Sequence, residues 1–218
     1  MRRVLAALLL ASISLARAGD TPSEAEERLF LAEHLANVNP HDVINYRFVR
    51  SGSKETPFED IVQLALGPSM TEQGKAAHVE FLKGERAITL PDIEAATANP
   101  VILSFLERDI REMQRLTGGQ PAYFRKRIRM ALADGAQVTP LRIEAQDGQH
   151  DAWQIEVHPY DADPMRARIG IYADKTYRFT LSPQIPGGVY ELHTLIAHRS
   201  GGDVPLIEER LTFVGVER

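Results

Sequence analysis

Asn99 to Gly119, NPVILSFLERDIREMQRLTGG, constrains the fold more than any other stretch, because it specifies a helix from first cap to last. Asn99 suits the N-cap, Pro100 the first helical position where its missing N–H costs nothing, and Gly118-Gly119 a left-handed stop. Between them Ile102, Leu103, Phe105, Leu106, Ile110, Met113 and Leu116 recur at three- and four-residue spacing. Ser104, Glu107, Arg108, Arg111, Glu112, Gln114 and Arg115 take the other side. One face of this helix is expected to be buried and the other solvated.

What surrounds the helix reads as β. Val43 to Ser51, Asp60 to Gly67, Ala76 to Leu82 and Glu85 to Leu90 form expected strands before it, with Lys83-Gly84 as a hairpin turn. After it come Val138 to Gln146, Asp151 to His158, Thr176 to Ser182, Val189 to Ala197 and Pro205 to Gly215. Asp147-Gly148, Pro186-Gly187-Gly188 and Ser200-Gly201-Gly202 separate them at antiparallel spacings, and a longer loop rich in Asp and Arg spans Pro159 to Lys175. Gln120 to Asp134 fits a helix better than a strand: Pro121 falls in its first turn, Phe124, Ile128 and Leu132 share a face, and Gly135 ends it. As a strand it would set Lys126 among apolar neighbours. Ser23 to Val38, with Ser23 as cap and Glu24, Glu26 and Glu27 in the first turn, reads as an N-terminal helix ended by Asn39-Pro40. The expected class is α+β, a curved antiparallel sheet of about eight to nine strands carrying helix 99–117 and an N-terminal helix. Tyr46-Arg47-Phe48 with Ser51 recurs as Tyr177-Arg178-Phe179 with Ser182, which leaves two related halves as an alternative to convergent strands.

Met1 to Ala18 has the form of a cleavable secretory signal: Arg2 and Arg3, an apolar run from Val4 to Leu15, then Ala16-Arg17-Ala18. That run is about a dozen residues against the roughly twenty a membrane helix needs. A single domain is expected over residues 19–218, and no later segment is apolar enough to span a bilayer. There is no Cys, which excludes disulfides, thiolate metal sites, a cysteine nucleophile and a lipid-modified N-terminal cysteine. Export without cysteine points to a periplasm. Without Arg2, Arg3 and Arg17, the 25 basic residues become 22 against 30 acidic, a net charge of −8 with His neutral. A chain this acidic is a poor general partner for nucleic acid.

Against that background residues 107–129 stand out, with seven basic side chains to Glu107, Asp109 and Glu112. Arg108, Arg111, Arg115, Arg125, Arg127 and Arg129 are the candidate anion- or partner-binding residues, since guanidinium groups capture carboxylate or phosphate through paired N–H donors. The same side chains also suit intramolecular pairing: Glu107 with Arg111 and Arg108 with Glu112 stand four apart on one helix. Arg125, Lys126, Arg127 and Arg129 have no local acid. The seven histidines, His34, His41, His78, His150, His158, His193 and His198, form neither H-x-x-x-H nor H-E-x-x-H, so no metal and no cofactor is expected. His158-Pro159-Tyr160-Asp161-Ala162-Asp163-Pro164 reads as an Asp-Pro turn with Arg166 and Arg168 pairing its aspartates. There is no G-x-S-x-G and no G-x-x-x-x-G-K, and Ser51, Ser53 and Ser104 stand in no interpretable order with His and Asp, so no catalytic residue is assigned.

The strings NPVILSFLERDIREMQRLTGG, YFRKRIRMAL, PYDADPMRAR and YRFTLSPQIPGGVYELHT resemble those of a group of exported proteobacterial proteins of unknown function. The resemblance covers most of the chain and implies compartment and extent, not an activity. The order of elements is also similar to the LolA-type half-barrels of lipoprotein carriers. The leading expectation is a periplasmic, non-enzymatic binding or accessory protein with a cavity or basic rim for a lipidic, anionic or protein ligand. The alternatives are a secreted hydrolase or transferase using His158 with Asp161 or Asp163, and an assembly partner for an envelope complex.

Overall fold

The computed structural model describes residues 21–71, 73–198 and 204–218. The expected leader, Met1 to Ala18, and the turn Ser200-Gly201-Gly202 lie outside the described residues. Nine strands, β1 (Val43–Ser51), β2 (Phe58–Gly67), β3 (Lys75–Phe81), β4 (Ile93–Ala96), β5 (Gln137–Ala145), β6 (Gly148–Val157), β7 (Thr176–Leu181), β8 (Val189–Ile196) and β9 (Ile207–Glu217), form one open antiparallel sheet in the order β4-β3-β2-β1-β9-β8-β7-β6-β5. Two meanders thus meet where the first strand pairs with the last, Phe48 opposite Leu211 and Tyr46 opposite Phe213. Each meander pairs strands that follow one another in sequence, with residues 158–175 as a long connection from β6 to β7, and the link from β4 to β5 crosses the sheet as two helices, α2 (Val101–Thr117) and α3 (Pro121–Asp134).

Alternation decides which face those helices cover. Ile44, Tyr46 and Phe48 of β1, Val62 and Leu64 of β2, Leu211 of β9, Leu192 of β8, Tyr177 and Phe179 of β7 and Ile155 of β6 are buried. They join Phe105, Leu106, Ile110 and Met113 of α2 and Phe124, Ile128 and Leu132 of α3 in one core. The helix-covered side is filled by these side chains. The opposite face carries cross-strand ion pairs such as Arg47 with Glu59 and Arg178 with Glu156, each at 2.5 Å. The repeated Tyr-Arg-Phe strings lie on β1 and β7 with Tyr and Phe inward in both. β1 is flanked by β2 and β9, β7 by β6 and β8.

Helix α2 ends as its sequence dictates, with Gly118 left-handed at φ 69° and its N–H on Gln114 O. At its start Asn99 caps the helix as expected, although the regular hydrogen-bonded helix begins only at Val101. Pro100 already has helical backbone angles, and Asn99 Oδ1 accepts the Val101 N–H at 3.0 Å. The segment 120–134 is a helix with Pro121 at its first position.

Three expectations need correction. The N-terminal helix is present but does not run unbroken to Val38. A capping box between Ser23 and Glu26 starts α1 (Glu24–Glu26), a π-turn follows over Glu27–Leu31, and Ala32 turns extended before a 3-10 turn at His34–Asn37. Glu85 to Leu90 is not a strand. Leu82 and Gly84 both take positive φ, Gly84–Arg86 forms a 3-10 turn, and a single bridge joins Ile88 to Phe81 before β4 begins. Arg86 is drawn instead to Asp60, and its guanidinium lies 4.7 Å from the Phe58 ring centre. The polar side of α2 is not solvated throughout, since Ser104 and Arg108 are buried. The loop from Pro159 to Lys175 also carries a short helix, α4 (Arg166–Ile169), and a 3-10 turn over Gly170–Asp174.

Candidate functional site

The six candidate arginines separate by environment. Arg108 is buried, bonds Glu209 at 2.6 Å and lies 4.6 Å from the Phe48 ring centre. Arg115 bridges Glu112 and Glu55 at 2.8 and 2.7 Å. Arg125 grips Glu107 through both Nε and Nη2, tying α3 to α2. Arg127 faces Asp163 at 2.8 Å and donates to Pro159 O at 3.1 Å, tying α3 to the loop before β7. Arg111 and Arg129 are exposed, as is Lys126, and among the described residues none of the three forms an ion pair. The Glu107–Arg125 bond joins the exposed sides of the two helices, with Arg111 one turn from it toward the tip of the hairpin and Arg129 one turn from it toward the open end.

Beneath α2 lies a second arrangement of charge, and here the sheet register does the assembling. On the helix-covered face Tyr177 of β7 stands opposite Thr194 of β8, Thr194 opposite Glu209 of β9, and Glu209 opposite Arg50 of β1. Four neighbouring strands therefore present a polar residue at one level, and α2 answers with Arg108, Asp109 and Glu112. Asp109 is 1% exposed; Lys175 Nζ bonds one of its oxygens, and Tyr177 OH donates to the other at 2.6 Å. Tyr160 OH lies 3.2 Å from Tyr177 OH. Arg50 reaches Glu112 at 2.5 Å and Glu209 at 3.4 Å. Burial and then the Asp109 charge push both Tyr160 and Tyr177 well above the ordinary phenol range. Burial would raise the Glu112 carboxyl, but bonds from Arg115 and Arg50 overcome it and hold the group at about 2. Beside this belt Tyr123 OH donates to Asp163; burial and then that carboxylate push the phenol up to about 12. The belt's charges pair with one another and seat α2 on the sheet, while Thr194 Oγ1, Arg50 Nε and Glu209 Oε1 are buried without a hydrogen-bond partner among the described residues.

The remaining polar residues weighed from the sequence do not converge. His158 meets Glu156 at 3.0 Å and Thr176 Oγ1 at 3.2 Å, with Asp161 at 3.9 Å. Asp163 turns away to Tyr123 and Arg127. Ser104 Oγ donates to Pro100 O inside α2, and Ser51 Oγ to Glu208. Arg166 pairs with Asp161 and Asp174, whereas Arg168 pairs with neither aspartate of the turn. Among the described residues no group of three or more His, Asp or Glu is placed to hold a metal ion, and no helix is long and apolar enough to cross a membrane. An open depression of about 170 Å³ lies between Ser23, Ala25, Leu132 and Val138.

The belt residues Arg50, Asp109, Lys175 and Glu209 are not among the candidates the sequence singles out, although all but Lys175 carry a signal. Asp109 sits four residues after Phe105 and four before Met113, a charge within the apolar stripe. Arg50 extends the alternation Ile44, Tyr46, Phe48, and Glu209 lies between Ile207 and Leu211.

No protein-family model matches the sequence, and no curated protein matches it either. Among solved structures, LprF from Mycobacterium bovis is 12% identical over 90% of this chain and 95% of its own, with a TM-score of 0.31. A LolA superfamily protein from Nitrosomonas europaea is 12% identical over 91% of this chain and 94% of its own, with a TM-score of 0.24. Nothing about the fold or the site rests on either likeness.

Proposed function

We propose that this is an exported, non-enzymatic binding or accessory protein, one domain after removal of its leader, that meets an anionic partner through the outer side of the α2–α3 hairpin. The observation that carries the reading is the state of Arg111, Lys126 and Arg129: exposed, without an ion pair among the described residues, and adjacent to a hairpin whose other cations are bound to carboxylates. Arg125 contributes at the edge of this surface, while Arg108 and Arg127 support the hairpin from within and the exposed Arg115 is held by Glu112 and Glu55. An internal lipid cavity is less well supported than this rim, because the side of the sheet that would hold it is occupied by Phe105, Leu106, Ile110, Met113, Phe124 and Ile128. In a chain of net negative charge, a local basic surface selects acidic partners by orientation as well as by attraction.

The test is affinity capture from envelope extracts with the wild-type protein and with Arg111→Glu, Lys126→Glu and Arg129→Glu combined. A partner retained only by the wild type, released by raising the salt concentration, with an unchanged melting temperature in the variant, is the expected result. Equal capture by both proteins would remove the hairpin as the binding surface.

A further inference from the structure

His34 stands where three parts of the chain meet: the 3-10 turn it opens, the loop between β7 and β8, and the entry to α2. Its Nδ1 accepts the Asn99 backbone N–H at 3.2 Å, and its Nε2 lies 2.8 Å from Arg28 O. A carbonyl cannot donate and a backbone N–H cannot accept, so Nε2 carries the hydrogen and Nδ1 is bare. The ring lies directly on Gly188, where an added Cβ would come within 2.7 Å of His34 Cδ2. The same junction is closed by Leu35 N–H on Thr97 O at 3.0 Å and by Gly187 N–H on Asn37 Oδ1 at 2.9 Å. Asn99 Nδ2 donates to Gly187 O at 2.7 Å and to Tyr46 OH at 2.8 Å. Asn99, the residue that caps α2, is therefore also the residue on which the N-terminal segment closes.

We propose that His34 is a proton-operated latch: protonation at Nδ1 sets one N–H against another, breaks the bond from Asn99 and frees the turn His34–Asn37 from the entry to α2 and from the Gly187–Gly188 loop. The charged and titratable groups around it do not oppose this. The β7–β8 loop brings Gly187 and Gly188, and α2 brings Asn99. Arg28 offers only its carbonyl, since its guanidinium is bound to Glu24 and lies 3.9 Å from the Trp153 ring centre. Lys75 Nζ is bonded to Leu35 O at 2.7 Å, and the Tyr46 phenol, raised by burial, is reached only through Asn99. No carboxylate is paired with the ring among the described residues. Burial accordingly depresses the His34 pKa below the ordinary value, only partly countered by the Arg28 carbonyl. The latch is independent of the basic hairpin.

The experiment follows the imidazole ¹⁵N shifts of His34 and the hydrogen exchange of the Leu35, Asn99 and Gly187 amides as pH is lowered, in the wild type and in His34→Gln. A glutamine offers a carbonyl acceptor and an N–H donor but does not titrate. Expected is a bare Nδ1 at neutral pH and a midpoint below about 6.5. Protection of the three amides, corrected for intrinsic exchange, falls by up to about tenfold per pH unit between about 6.5 and that midpoint in the wild type, levels off beneath it, and stays level throughout in the variant. A midpoint at or above about 6.5, or an equal fall in His34→Gln, overturns the latch. If His34→Gln does not fold, the wild type decides: amide opening that tracks the ring's own midpoint supports the latch, and opening at any other pH overturns it.

Discussion

At the scale of single residues, the pair Lys175 and Asp109 is the most demanding feature of this chain, because each side chain is 1% exposed. Removing one partner leaves a charge without water or counter-charge. Lys175→Ala or Asp109→Ala alone should cost about 3–5 kcal/mol, whereas Lys175→Met with Asp109→Leu should fall within about 2 kcal/mol of the wild type. Denaturant unfolding of the three variants measures both, and a double variant as unstable as either single one would show the belt to depend on these charges themselves. Half-buried His34 and buried His193 supply a pH dependence with a definite sign. Burial lowers the pKa of His34 and of His193, in the latter helped by Arg210 and opposed by Glu191 and Glu208. Unfolding returns both to about 6.5, so the unfolded chain takes up protons first. Their stabilisation is complete above that value and is lost as pH falls through the folded pKa of each. Chemical denaturation at a series of pH values should show stability declining below about pH 6.5, with the decline reduced in His34→Gln.

At the scale of elements, helix α2 is held by two kinds of contact. Leu106 and Ile110 are 6% and 4% exposed, and truncating either to Ala should destabilise by about 2–5 kcal/mol through lost burial and the cavity left behind. A loss below about 0.5 kcal/mol would mean that this face is not core. Gly118 isolates the backbone contribution: it is left-handed at φ 69°, and a Cβ there would meet nothing within 4 Å. Gly118→Ala should therefore cost about 1–2 kcal/mol from the left-handed conformation alone, and Gly118→Asn less. Equal melting temperatures for the wild type and Gly118→Ala would contradict that geometry.

At the scale of the whole molecule, two meanders share one sheet because β1 and β9 pair at its centre, and the α2–α3 hairpin spans both. A polar level running through β7, β8, β9 and β1 exists only because residues far apart in sequence come into register: Arg50 with Glu209, and Tyr177 with Thr194. Charge is thus divided between two sides of one helical hairpin. The inner side balances its cations against carboxylates, and the outer side leaves Arg111, Lys126 and Arg129 to solvent. Glu112→Gln, which removes the shared partner of Arg50 and Arg115, should destabilise by about 1.5–3 kcal/mol while leaving capture by the outer side intact. Loss of capture without loss of stability would instead place Glu112 in the binding surface.

Local signals carried much of this fold. The stop at Gly118, the helix beginning at Pro121 and the strand Val43–Ser51 follow from caps, backbone preferences and two-residue alternation, all of which act within a few neighbouring residues. The same logic misplaced Glu85 to Leu90, where positive φ at Leu82 turns the chain before a strand can pair. It also ran Ser23 to Val38 into a single helix, which the docking of His34 against Asn99 and Gly188 interrupts. The fate of the arginines lay beyond it altogether. Arg108 and Arg111 are three residues apart on one helix, yet one is buried against Glu209 and the other exposed, because Glu209 lies a hundred residues downstream on a strand whose register is set by β1 and β8. Whether a cation is bound or free depends on distances through space, and the chain order contains those distances only after the sheet has closed around the helix.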